Sequence, residues 1–191
     1  MSDLRLVGLE NYINDCDVFF ETGTYKGGGL DYAMGFNFNK LYSVEIEDQK
    51  IPYLTDKYKG SQRVKIFHGT SLDAFKNFLP EIKSNTLFWL DAHYPDLIYS
   101  KYAQADSDNY ERIVRLPLES ELLYLKEHRK GFRDVIIFDD LSCFLNGGES
   151  LPSWARARVK FQEEFYKKIF EDTHNYVQLD IAEVVGVLIP K

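Results

Sequence analysis

Val18-Phe19-Phe20-Glu21-Thr22-Gly23-Thr24-Tyr25-Lys26-Gly27-Gly28-Gly29-Leu30 decides how the chain is read, because an apolar run stops there at an acid and breaks into glycines. Residues 18–20 suit a strand buried on both faces. Gly23 and the glycines at 27–29 let the backbone turn sharply and approach a ligand where a Cβ would collide. The stretch reads as strand, tight turn and helix start, with a ligand loop between them. A dinucleotide fingerprint, G-x-G-x-x-G, fails because Thr24, Tyr25 and Lys26 follow Gly23. A phosphate loop, G-x-x-x-x-G-K-[ST], fails because Gly29 and Leu30 stand where a lysine and a hydroxyl are needed. A loop opened by a carboxylate repels phosphate and suits a cofactor that carries an ammonium group and hydroxyls.

A second acid stands where such a cofactor would want it. Lys40-Leu-Tyr-Ser-Val-Glu45 reads as the next strand, and an acid ending strand two of a β-α-β unit can accept both ribose hydroxyls. With these residues in place the sequence resembles the class I S-adenosylmethionine-dependent methyltransferases, whose first motif is an acid followed by spaced glycines. The resemblance implies S-adenosyl-L-methionine as cofactor, with Glu21 and Gly23 by its methionine moiety and Glu45 by its ribose. Thr24, Tyr25, Gly27, Ile46, Gly69, Thr70, Ser71 and Asp91 complete the implied cofactor-binding set. The bland alternative makes Glu21 a helix cap and Glu45 a solvated strand end. One departure stands out: the turn after strand three commonly reads Gly-Asp-Ser in these relatives, whereas Gly69-Thr70-Ser71 has no acid for the adenine amino group.

Composition narrows the class. A chain of 191 residues with 45% hydrophobic and 28% charged residues is expected to be one domain over 1–191 that buries a sizeable core. A net charge of −7, with no long run of Lys or Arg, argues against a nucleic-acid partner. Cys16 and Cys143 lack C-x-x-C spacing and read as free thiols in a reducing compartment. No apolar stretch nears the ~20 residues of a membrane span, so a cytoplasmic protein without a membrane partner is expected.

Along the chain, residues 3–14 read as a short amphipathic helix running into the first strand. Helices are expected from Gly29, Gln49, Ser71, Leu118 and Ser153, with strands at 41–45, 63–68, 86–91 and 134–139 and a closing hairpin at 176–179 and 184–189. This is an α/β, Rossmann-like fold: an open, mostly parallel sheet with helices on both faces and an antiparallel C-terminal edge strand. Residues 94–115, polar and rich in tyrosine, read as a lid insertion. His68 reads as structural, and His128 and His174 as surface residues. Glu21, Glu45, Asp91, Asp139 and Asp140 all fall at strand ends, where mutual repulsion is costly unless cations bind.

Asp91, Asp139 and Asp140 could cage Mg²⁺, which takes a few carboxylates and keeps positions open. The pattern resembles the macrocin O-methyltransferase and cephalosporin hydroxylase related group, which implies these three as metal ligands. Leu90-Asp-Ala-His-Tyr94 and Pro117-Leu-Glu-Ser-Glu-Leu122 also resemble segments of bacterial methyltransferases near that group. His93, two positions after Asp91, shares its face of an extended strand end and is a candidate base, against a plain structural histidine. The expected acceptor is a hydroxyl on a sugar, a glycan precursor or another small polar molecule, and a homodimer is allowed. The rivals are a divalent-metal hydrolase using Asp91, His93, Asp139 and Asp140, and a catalytically silent nucleoside-binding domain.

Overall fold

A computed structural model of the chain describes residues 4–13, 15–92, 116–139, 141, 163–181 and 184–191. Seven strands run Val18–Thr22 (β1), Lys40–Glu45 (β2), Val64–His68 (β3), Thr86–Leu90 (β4), Val135–Phe138 (β5), His174–Asp180 (β6) and Val184–Pro190 (β7). They form a sheet in the order β3-β2-β1-β4-β5-β7-β6. The first five strands are parallel, β7 pairs antiparallel with β5, and the β6–β7 hairpin closes that edge. The chain builds outward from β1 to β3 and then returns to β4, so the strand order reverses between β1 and β4, at the carboxyl end of which such sheets bind ligands.

Helices Leu4–Val7 (α1), Gly28–Ala33 (α2) and Ile51–Tyr58 (α3) cover one face. Ser71–Phe78 (α4), Leu118–His128 (α5) and Glu163–Lys168 (α6) cover the other. Strand alternation decides which residues each face receives. Val18, Phe20, Tyr42, Val44, Phe88, Leu90, Ile136 and Phe138 pack with α4, α5 and α6, while Phe19, Leu41, Leu87, Trp89, Val135 and Ile137 pack with α1 to α3. Both faces are apolar, so β1 and β4 are buried at every position, as the continuous runs at 18–20 and 86–90 require. Pro52 lies in the first turn of α3, where its missing N–H costs nothing.

Two expectations need correcting. The amphipathic stretch at 3–14 is not one helix, because Gly8 takes a left-handed φ of 70° and divides α1 from a 3₁₀ turn at Leu9–Asn11. His174 is not a surface residue: it opens β6 and is buried, which lowers its pKa, while its Nε2 lies 2.8 Å from the Asp134 carbonyl, a bond that opposes the shift. Glu119 and Glu121, to which spacing along the chain assigned no place, are both buried. Cys16 is a half-buried free thiol whose pKa burial pushes up to about 12, whereas Cys143 lies outside the described residues.

Candidate active site

Glu21, Ser43, Glu45, Asp91 and Asp139 share a parity. Each lies one or more two-residue steps beyond a side chain of the α1–α3 face, so all are directed to that face at the carboxyl edge of the sheet. Glu21 is almost wholly buried. Ser43 Oγ donates to its Oε2 at 2.6 Å, and with that proton committed Thr24 Oγ1, 2.6 Å from Ser43 Oγ, supplies the next donor. Burial pushes the Glu21 carboxyl up to about 8; the Ser43 bond pulls it down and the charge of Glu45 pushes it further up. At neutral pH this acid is mostly protonated, an arrangement that a neighbouring cation would reverse.

The glycines make room for that acid and for the strand tips. A Cβ on Gly29 would fall 2.1 Å from Glu21 Oε1, so the first turn of α2 can lie on the carboxyl only with glycine there. Gly23 has a φ of +85°, and a Cβ on it would fall 2.6 Å from the Asp91 carbonyl oxygen, where β1 and β4 close on each other. Tyr25, with a φ of 49°, is the non-glycine residue held in the left-handed region among the described residues. Its N–H donates to Glu45 Oε2 at 2.7 Å, and Lys50 Nζ lies 4.7 Å from its ring centroid. A backbone held in a sparsely populated conformation in this way marks a loop over-determined by its surroundings.

Glu45 accepts that bond and a second, from Glu47 N to Oε1 at 2.8 Å. Burial raises its pKa and the two amides oppose the shift. Each carboxylate oxygen has two acceptor positions, so the two amides fix the carboxylate and leave capacity for two hydroxyls. Half-buried Ile46 follows it.

A cavity of about 510 Å³ opens against this loop, lined by Glu21, Gly23, Thr24, Tyr25, Asp91 and Trp89, among others, with Leu4, Arg5 and Tyr32 closing it from α1 and α2. That volume suits a cofactor-sized ligand. Of the sequence-derived cofactor residues, Glu21, Gly23, Thr24, Tyr25 and Asp91 line it; Gly27, Glu45, Ile46, Gly69, Thr70 and Ser71 border the carboxyl edge outside its wall. Gly27 instead caps α2 with a φ of +81°, its carbonyl accepting from the Tyr58 hydroxyl at 2.9 Å.

Asp91 and Asp139 end neighbouring strands, with Asp139 N donating to the Leu90 carbonyl at 3.0 Å. Among the described residues no three His, Cys, Asp or Glu side chains come together as a metal centre. Asp140, His93 and the expected lid at 94–115 lie outside the described residues.

Sequence reasoning missed Ser43, Arg5, Tyr32 and Glu121. Ser43 could have been found by parity, since it shares the face of Glu45 two residues before it. Arg5 could have been placed only by knowing that the chain breaks at Gly8 and lays α1 across α2.

No protein-family model matches the chain. It is 23% identical over 108 residues to the ribosomal RNA small subunit methyltransferase A of Prochlorococcus marinus, a match covering 54% of this chain but 39% of that protein's length. Among solved structures it is similar to the O-methyltransferase TomG of Streptomyces achromogenes in complex with S-adenosylmethionine: TM-score 0.63, 13% identity, 100% of this chain and 81% of that one. It is likewise similar to an O-methyltransferase of Bacillus cereus in complex with S-adenosylhomocysteine: TM-score 0.59, 15% identity, 100% of this chain and 82% of that one. At these identities the likeness is one of architecture, and it agrees with the sheet order and the switch point between β1 and β4: the chain has the fold of the class I S-adenosylmethionine-dependent methyltransferases.

Proposed function

We propose that the protein is an S-adenosylmethionine-dependent methyltransferase that methylates a hydroxyl of a sugar or other small polar acceptor. The observation that carries this reading is the buried Thr24–Ser43–Glu21 chain under a glycine-built cavity at the strand-order reversal, with Glu45 fixed beside it by two amides. The residues fit the cofactor. Glu21 suits its ammonium group, Glu45 keeps acceptor positions for its ribose hydroxyls, and Gly23 and Gly29 leave the cradle open where a Cβ would fill it. When bound, the cofactor supplies a methyl group on a sulfonium centre that needs no activation.

The chain's own task is then to hold the acceptor oxygen in line and take its proton. His93 is the residue we assign to that proton, since an imidazole near neutrality is matched to it. Asp91, lining the cavity floor, orients the acceptor hydroxyl. Asp91, Asp139 and Asp140 are the residues that would hold Mg²⁺, which would supply Lewis-acid stabilisation at the acceptor oxygen. A ribosomal RNA substrate, which the Prochlorococcus relative suggests, is disfavoured by the net charge of −7.

Transfer of a labelled methyl group, assayed over sugars, phenols and RNA with and without Mg²⁺, tests the reading against a metal-dependent hydrolase and a silent nucleoside-binding domain. In calorimetry with S-adenosylhomocysteine, Glu45→Ala is expected to lose about tenfold or more in affinity, or roughly 1.5 to 3 kcal/mol for charge-assisted bonds to ribose. Equal binding by the folded variant would take ribose recognition away from Glu45.

A further inference from the structure

We propose that Glu121 is the residue that receives the amino group of the cofactor's adenine, supplying from α5 the carboxyl that the turn after β3 lacks. The proposal rests on the nucleoside-cofactor reading above and adds a residue to it.

The path of the ligand follows from the strand ends. Glu45 pairs with His68 across β2 and β3, and Gly69 N donates to the Glu45 carbonyl at 3.0 Å. A base on a ribose held at Glu45 therefore meets the Gly69-Thr70-Ser71 turn next. Thr70 cannot serve the base, because its hydroxyl is used twice within the cap of α4, accepting from Asp73 N at 3.2 Å and donating to Asp73 Oδ2 at 2.8 Å. Asp73 is exposed and takes Lys76 as well. Neither can turn inward without uncapping the helix.

Glu121 reaches the same place from the other side. Leu118, Leu122 and Leu125 form the apolar stripe by which α5 packs on Ala74 and Phe75 of α4, and position 121 falls on that stripe. Its side chain is 1% exposed, with the hydroxyls of Ser71, the first residue of α4, and Thr22, the last of β1, beside its carboxyl. Oε1 is buried and has no hydrogen-bond partner among the described residues. A buried carboxyl oxygen left without a donor is costly, and its retention beside the end of β1 and the turn after β3 is accounted for if the ligand brings the donor. Burial pushes the group up to about 7 while the two hydroxyls draw it back, so an arriving N–H donor would favour the ionised form. Glu119, also buried on α5, is by contrast engaged by the Tyr166 hydroxyl at 2.9 Å.

The test is a ratio of affinities, read by calorimetry. S-adenosylhomocysteine is compared with its analogue carrying unsubstituted purine, which lacks only the amino group, on the wild type, Glu121→Leu and Glu121→Gln. The wild type is expected to prefer the amino-bearing ligand by about tenfold or more, Glu121→Leu by less than about threefold, and Glu121→Gln by an intermediate factor. A residue that only supports the fold would lower both affinities together and leave the ratio unchanged, which would overturn the proposal. If Glu121→Leu does not fold, Glu121→Gln decides alone: a ratio at least about threefold below the wild type supports the assignment, and the wild-type ratio overturns it. Wild-type protein that binds neither ligand would overturn the cofactor reading itself, whereas tight binding with an unaltered ratio would remove only Glu121.

Discussion

Glu21 is an acid stored in its neutral form. Its pKa of about 8 lies above the ordinary 4.5, so the folded state holds the proton more tightly than the unfolded chain does. The stability this contributes is complete below pH 4.5 and is lost as pH rises through 8. Urea midpoints followed from pH 5 to 8 should therefore fall more steeply for the wild type than for Glu21→Gln, which keeps an acceptor for Ser43 and cannot ionise. Parallel curves would show that Glu21 is already charged in the fold. Ligand binding should run the other way. An ammonium beside Glu21 expels its proton, so affinity for S-adenosylhomocysteine should rise between pH 6 and 8, and it should rise less in Glu21→Gln.

At the scale of the element, α2 shows how two adjacent glycines have opposite reasons to be glycine. Among the described residues a Cβ on Gly28 meets nothing within 4 Å, whereas one on Gly29 falls 2.1 Å from Glu21 Oε1. Alanine gains about 1 kcal/mol over glycine in a helix, and overpacking costs about 1 to 3 kcal/mol. Gly28→Ala should thus stabilise the ligand-free protein by up to about 1 kcal/mol. Gly29→Ala should be neutral to destabilising by about 2 kcal/mol and should weaken S-adenosylhomocysteine binding. Denaturant unfolding separates the two, and equal effects would mean that α2 does not rest on the Glu21 carboxyl.

The glycine loop and the strand-end acids were legible in the sequence because a buried strand, a turn and an acid leave local signals of composition and spacing. Glu121 was not read, although an acid on the Leu118, Leu122, Leu125 stripe is itself a signal, because a polar Glu-Ser-Glu run at 119–121 carries no local mark of burial. The break at Gly8 and the burial of His174 depend on what lies opposite in space, which spacing along the chain does not encode.

Over the whole molecule, the two ends of the sheet differ in purpose. At the amino end, Arg129 Nε and Nη2 meet Asp134 at 2.8 Å each, Nη1 and Nη2 meet the carbonyls of Ile82 and Ser84, and Asp134 receives Thr86 N. The pair is buried and binds α5 to β4 and β5 far from the cavity. Arg129→Leu would leave Asp134 charged and uncompensated, so a loss of about 3 to 5 kcal/mol is expected in urea unfolding. Affinity for S-adenosylhomocysteine should be unchanged under native conditions, and a change there would tie the two ends together.

The carboxyl end carries Glu45, Asp91 and Asp139 on a single face, on a protein whose net charge is −7. Carboxylates gathered on one side of a concave edge act on a ligand before they touch it: their field draws cations in and turns polyanions away. The quantity this governs is the rate of arrival. In stopped-flow binding at low salt, S-adenosylmethionine, with its extra positive charge, should associate faster than S-adenosylhomocysteine. The gap should close as ionic strength passes about 0.1 M and the Debye length shrinks to about 10 Å. Equal rates at every salt concentration would mean that the acids act only on contact.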